Sequence, residues 1–432
     1  MEIDEADYEE EPDAKPGYRT YEVYQRERVG ETTNLIKPRQ LISDEYLSDP
    51  YPLVAILREN YPCYRDWLSN CFWITRYDDV TSVFADDQNF ETRPKRWYLD
   101  SANFGRDLWK YLPVQWAYQK KIDENIETVS EEAISSIQGP SFDLARNYAA
   151  RIPLALWQKI LNITLEQAQE FAILYLRMQR SARWNPQFRH KGIQSMNELA
   201  ALLEPVFNER SKAPEDDFIS AVAQLELPTK PPTVQDLVIT ILELDHETLH
   251  GGLANLWFNL LTNPEEKEKV IQDHRLMKFA WRETLRHSAP TLVADRFAKQ
   301  EVERFGRLIP KGGLLRCSSA AANRDPRQFE DPNKFIIGRK DLCQREPRGQ
   351  YRADGLPSGI AFGLGKPSIH PAVPKERPRS RYALTRDAAV TASLMLLEEK
   401  PAIKIVQGIE PRLACPEIGE MHTCWELPAV WN

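Results

Sequence analysis

With 432 residues, a net charge of −8 and 42% hydrophobic content, the chain has the length and composition of one large globular domain with an ordinary core. The acidic balance gives no reason to expect nucleic acid or an anionic membrane as partner. No run approaches the roughly 18–20 uncharged apolar residues needed to span a bilayer.

Residues 1–20 hold an acidic run, EIDEADYEEEPDAKPG, with little to bury, and read as a disordered tail; residues 21–432 read as a single domain. DPYPLVAILRENYP reads as a helix, CFWITRYDDVTSVFAD as a strand turning into a helix, and the aromatic, basic stretch from Asn89 to Pro113 as a long loop beside a pocket. Helical patterns follow in WAYQKKIDENIETVSEEAISSI, FDLARNYAARIPLALWQKIL, LEQAQEFAILYLRMQRSA and GIQSMNELAALLEPVFNERS. Thr233 to Thr262 reads as one long buried helix, KEKVIQDHRLMKFAWRETLRHSA as another, and Arg296 to Leu315 as short strands. A Pro/Gly-rich stretch leads to a last helix, Tyr382 to Lys400, and a terminal β-like segment. The expected class is mainly α with small β-sheets. The six cysteines (Cys63, Cys71, Cys317, Cys343, Cys415 and Cys424) show neither metal nor redox spacing. With an acidic N-terminus unlike a signal peptide, that predicts a cytoplasmic protein.

The central stretch carries the densest chemistry. On an uninterrupted helix, Glu243, His246, Glu247 and His250 share an arc of roughly 100°. Ionisable groups on the face of a buried helix are costly unless paired. His-Glu-x-x-His and the two overlapping Glu-x-x-His pairs are spacings by which helices present metal ligands. A buried hydrogen-bonded network and a solvated face are the plainer alternatives.

Several motifs, in order, resemble the cytochrome P-450 family of haem-thiolate monooxygenases. Glu283-Thr-Leu-Arg286 is similar to the family's Glu-x-x-Arg pair, which ties a helix to the loop carrying the haem ligand. Arg296 falls where a basic residue usually meets a haem propionate, and Trp116-Ala-Tyr-Gln-Lys120 matches the other propionate helix in part. Asn323-Arg-Asp-Pro326, Phe335 to Arg339 and Phe362-Gly-Leu-Gly365 resemble the segments leading into the ligand loop. Glu247-Thr248 falls at the acid–alcohol pair that protonates bound oxygen. The resemblance runs from about Ile42 to the C-terminus and implies a cytochrome P-450-like fold.

One departure stands against it. Where the family has the Cys that ligates iron, this chain has Ile369, and no Cys lies between Cys343 and Cys415. Aligning back from the last helix puts Arg379 there instead, and a guanidinium has no lone pair for iron. The thiolate push that favours O–O cleavage is therefore not expected. The family's small residues beside the bound oxygen are Leu244-Asp245 here, which would crowd a porphyrin.

The chemistry expected on this reading is O2 activation at non-haem iron, with one or two ions, oxidising a small organic molecule. Glu243, His246, Glu247, His250 and His287 are the candidate ligands, Glu247 and Thr248 the catalytic pair, and Arg296 the cofactor-binding residue. His190 and His370 are further positional candidates; His274 and His422 read as surface residues. Carboxylate–imidazole sets suit iron, manganese or zinc, but a zinc hydrolase ranks lower because the fold encloses a dry cavity. The basic run PKERPRSR, Lys375 to Arg381, is a candidate landing site for a ferredoxin-type donor. The alternatives are a haem protein with a replacement ligand, His370 or Tyr382, and a relic of the family that serves as a binding protein.

Overall fold

The computed structural model describes residues 35–99, 104–182, 189–244, 246–342, 377–415 and 421–431, with the backbone alone at Glu247. The acidic tail, the Phe362–Gly365 segment, Ile369 and His370 lie outside the described residues.

A five-stranded sheet stands near the N-terminus. Strands β1 (Tyr64–Asp66) and β2 (Cys71–Ile74) lead into helix α1 (Tyr77–Ala85) and strand β3 (Phe90–Glu91). Two later strands, β4 (Val293–Ala298) and β5 (Leu314–Ser318), complete the order β1-β2-β5-β4-β3, with β2 and β5 parallel and the other pairs antiparallel. One face of this sheet packs on α1 through Phe72, Ile74, Val80 and Phe84. Between β3 and the next long helix there is only one short helix among the described residues, α2 (Lys95–Tyr98).

The helical body follows: α3 (Leu112–Ser135), a π-helical turn at Ala145–Ala149, α4 (Arg151–Leu161), α5 (Leu165–Ser181) and α6 (Arg189–Lys212). Helix α3 buries Val114, Tyr118, Ile122, Ile126, Val129 and Ala133, the three-to-four spacing of a core-facing stripe. The predicted central helix is two helices, α7 (Val234–Glu243) and α8 (Glu247–Thr262). Thr233 and Asp236 form a capping box at the start of α7, and Leu244, in extended conformation (ψ 102°), ends it. Gly252 lets α8 approach its neighbour: a Cβ there would lie 2.4 Å from the Trp281 ring.

That neighbour, α9 (Met277–His287), follows a second interruption that the sequence pattern did not predict. The Asp273 side chain accepts a bond from Arg275 N and starts a separate 3-10 turn, so the expected single helix is divided. Helix α10 (Arg381–Glu399) matches the predicted last helix. The hairpin of β6 (Arg412–Ala414) and β7 (Thr423–Glu426) closes over α8. Among the described residues, no helix is long and apolar enough to cross a membrane.

Glu283 and Arg286 both have fully buried side chains and form the expected pair, with two parallel bonds of 2.8 and 2.7 Å. Arg286 also donates to the carbonyls of Asn323, Pro332 and Lys334, and Glu283 accepts from Ile336 N. The pair thus anchors the irregular chain at 323–336 to α9. Removing one partner strands a buried charge, a loss of about 3–5 kcal/mol. Glu283→Ala is expected to lower the unfolding free energy from urea titration by that amount; an unchanged value would show that the pair does not hold this segment.

Candidate active site: a broken helix between α5 and α10

The break at Leu244 leaves carbonyl oxygens that no helical amide reaches. Three side chains answer them. Gln179 Nε2 on α5 donates to Leu242 O at 2.9 Å, and Tyr175 Oη, also on α5, lies 3.5 Å from Leu244 O. Arg381, the first residue of α10, donates to Glu243 O at 2.5 Å, while Tyr175 accepts from His246 N at 3.1 Å.

The break also parts Glu243, His246 and His250, three of the four residues expected on one face. Glu243 turns to α2, where its carboxylate accepts from Lys95 N and Arg96 N, both at 3.3 Å. Burial raises its pKa against the lowering effect of Lys95. His246 is buried and stacks on Trp157 with ring centroids 4.3 Å apart. Its Nδ1 lies 3.2 Å from Pro153 O; a carbonyl can only accept, so Nδ1 carries the proton and Nε2 accepts from the Tyr118 hydroxyl. Both nitrogens are engaged, and His246 faces the aromatic core as part of a hydrogen-bonded network. That alternative fits it better than the expected ligand role.

His250 lies one turn into α8, its ring edge-on to Trp425 at 5.6 Å, and burial pulls its pKa down to about 4. His287 is likewise committed, with Nε2 3.0 Å from Asn333 O and Nδ1 2.9 Å from Ser288 Oγ. Burial, then the Arg324 and Arg286 charges, hold it well below the usual histidine range. Thr248 is buried in the first turn of α8, next to Glu247. Among the described residues, no group of three or more His, Cys, Asp or Glu is placed to hold a metal ion. Of the residues expected to share an arc, Glu243, His246 and His250 therefore point apart, because that arc required an unbroken helix, while His287 on α9 is held by its own partners.

Arg296 departs from expectation for a different reason. Side chains alternate along a strand, so Asp295 and Arg296 on β4 face opposite sides of the sheet. Arg296 lies over the Phe84 ring of α1, 4.3 Å from its centroid, and burial lowers its pKa. Asp295 takes the other side. It stands opposite Arg316 on β5, with Nε to Oδ1 at 3.5 Å, and accepts from the Tyr98 hydroxyl at 3.0 Å. No sequence pattern signalled this carboxylate, since its partner is set by strand register.

Trp116 and Lys120 face an outer groove, where Trp116 is 39% exposed and Lys120 pairs with Asp216 and Glu124. The basic run is also partly spent: Arg379 pairs with Asp123 and Asp387, its backbone N donates to Gln119, and Arg381 is held at Glu243 O. The expected free basic landing patch is thus reduced, with Lys375 outside the described residues. His274 is at the surface beside Glu398, as expected, whereas His422 is buried and not a surface residue.

A family model described as Cytochrome P450 matches residues 119–346. The chain belongs to the cytochrome P450 family. Its relatives include putative cytochrome P450 YjiB of Bacillus subtilis, 25% identical over 74% of this chain and 83% of the relative. Pulcherriminic acid synthase of the same organism is 24% identical over 76% and 85%. 6-Deoxyerythronolide B hydroxylase of Saccharopolyspora erythraea is 24% identical over 76% and 86%. Among solved structures, ligand-free cytochrome P450 TbtJ1 superposes with a TM-score of 0.71 at 21% identity, covering 91% of this chain and 99% of that one. P450BioI, in complex with a fatty-acyl-loaded acyl carrier protein, gives 0.72 at 18% identity, covering 90% and 99%. The cytochrome P-450-like fold expected from the motifs is therefore the fold observed, and the chain belongs to a family of oxidoreductases.

Several features of the described residues depart from those expected of a haem site. Beside Leu244, where the family resemblance would place a porphyrin, the exposed Arg381 side chain at the first turn of α10 donates to Glu243 O. The arginine expected at a propionate is turned to Phe84, and Asp295 sets a carboxylate beside Arg316. Each described cysteine is buried. Burial pushes Cys317 and Cys424 up to about 12 and Cys71 well above its ordinary value, away from thiolate.

The histidines set a pH dependence. His250 and His422 are each lowered by burial from 6.5 to about 4. As pH falls below 6.5 the unfolded chain takes up protons that the folded chain refuses, so stability present above 6.5 is lost progressively toward pH 4. The loss is roughly 3 kcal/mol per histidine. Urea midpoints should fall between pH 7.5 and 4.5, and His422→Phe should flatten that fall by about a third of the share of His250, His287 and His422; an identical slope in the variant would contradict the assignment.

Proposed function

We propose that this protein uses the cytochrome P450 fold without thiolate-ligated haem, and acts by binding a small organic molecule. The observation that carries the reading is the bond from Arg381 to Glu243 O, which joins α10 to the broken helix where a porphyrin would lie. The sequence supports it, with no cysteine from 344 to 414 to supply a thiolate. The small-molecule part rests on family membership, since the relatives include enzymes named for oxidising small organic compounds.

A second reading keeps oxygenase chemistry at non-haem iron. It is favoured by one observation: Glu247-Thr248 opens α8 immediately after the break, with Thr248 buried. On that reading Glu247 is the metal-binding carboxylate. His246 and His287 are left out, because their ring nitrogens are already bonded.

One preparation separates the readings. Protein expressed with haem precursor and iron, and purified without chelator, is expected to show no Soret band, no thiolate-type carbon monoxide complex and no bound transition metal. A stoichiometric haem would overturn the haem-free reading. About one equivalent of iron, lost in Glu247→Ala and accompanied by oxygen consumption, would put the second reading in its place.

A further inference from the structure

A cavity of about 410 Å³ opens between the π turn, the first turns of α8 and the β6–β7 hairpin. It stands apart from the Arg381 junction, whose residues do not line it, so what it binds does not depend on whether haem is held. We propose that this cavity binds a small aromatic carboxylate.

Its walls are apolar where a ring would lie. Ala145, Ala150 and Ala414 contribute small side chains, and the Trp425 indole forms a flat side. That indole is fixed, because its Nε1–H donates to Ala414 O at 2.8 Å. The His250 imidazole stands edge-on to it. Neither imidazole nitrogen has a hydrogen-bond partner among the described residues. Burial keeps the ring neutral at physiological pH, so it offers one donor and one acceptor rather than a charge.

The mouth carries two arginines. Arg146 and Arg412 both donate to the same oxygen of Glu426, at 3.1 and 3.4 Å, and Arg146 also lies 3.4 Å from Asp143. The two carboxylates balance their charge but do not use all their donors, since a guanidinium has five N–H donors in a planar fork. Donors therefore remain for a second carboxylate, which such forks bind in parallel pairs. An apolar slot with one fixed aromatic wall, a neutral polar group inside and cations at the mouth matches a planar ring bearing a carboxylate. The volume lies in the lower part of the range for small-molecule sites, which suits a bicyclic ring.

The probes are 2-naphthoate and its uncharged methyl ester, titrated into the full chain by calorimetry at low salt. Wild type is expected to bind naphthoate at a single saturable site about tenfold tighter than the ester, a difference worth one charge-assisted pair. Arg146→Ala/Arg412→Ala should abolish that preference, so that acid and ester bind with equal affinity. Both arginines are mostly exposed, so the fold should survive. His250→Phe should weaken both probes by filling the slot, with folding checked by circular dichroism. No saturable binding, equal affinity for acid and ester, or an unchanged preference in the double arginine variant would each overturn the proposal. A wild-type response in a folded His250→Phe protein would do the same, by moving the binding elsewhere.

Discussion

A helix that stops inside a protein leaves carbonyl oxygens facing a dry interior, and each left unbonded costs about 1–3 kcal/mol. In this chain the stop is at Leu244, and the surrounding elements are arranged to meet it. Helix α5 brings Gln179 and Tyr175, and α10 brings Arg381. Because the last of these comes from a segment far along the chain, satisfying the break also fixes where α10 begins. The same stop turns Glu243 toward α2 and His246 toward Tyr118 and Trp157. Two charged or polar side chains that a continuous helix would have stacked together become separate braces.

Charge follows space. A haem brings two carboxylates as well as a porphyrin, and a fold that accommodates one must supply the positive partners. Here Arg316 faces Asp295 across adjacent strands, and Arg296 is packed on an aromatic ring. The parts of the fold remote from that region keep the family pattern. Glu283 and Arg286 hold the irregular chain at 323–336, as the Glu-x-x-Arg resemblance implies, and Gly252 admits Trp281 between α8 and α9. The framework is thus that of the family, which is consistent with superposition on solved cytochrome P450 structures.

Most of the framework was legible in the sequence. The helical stripe through Tyr118 and Ile122, the last helix and the Glu283–Arg286 pair could each be read from spacing and motif order, because local pattern determines them. The centre was not legible in the same way. Neither Pro nor Gly marks the break between Leu242 and His246; its partners lie 63 to 148 residues away along the chain, and no local propensity reports them. Once the helix is broken, His-Glu-x-x-His loses the geometry that made it a metal motif. Arg296 was misplaced by one side of a sheet, since a strand's register decides which residue of Asp295-Arg296 faces inward. His422 reads as a surface residue in sequence, whereas it packs edge-on to Tyr51 in the interior. The cavity beside His250 was invisible for a similar reason, being assembled from three distant segments.

On the proposed reading, α10 and the broken helix are joined through Arg381 where a cytochrome P450 would hold its porphyrin. A crystal structure of the full chain grown with excess hemin tests this. The expected density has the Arg381 guanidinium on Glu243 O, Gln179 on Leu242 O, and no porphyrin between α7 and α10. Porphyrin density in that space, with Arg381 swung away from Glu243 O, would contradict it.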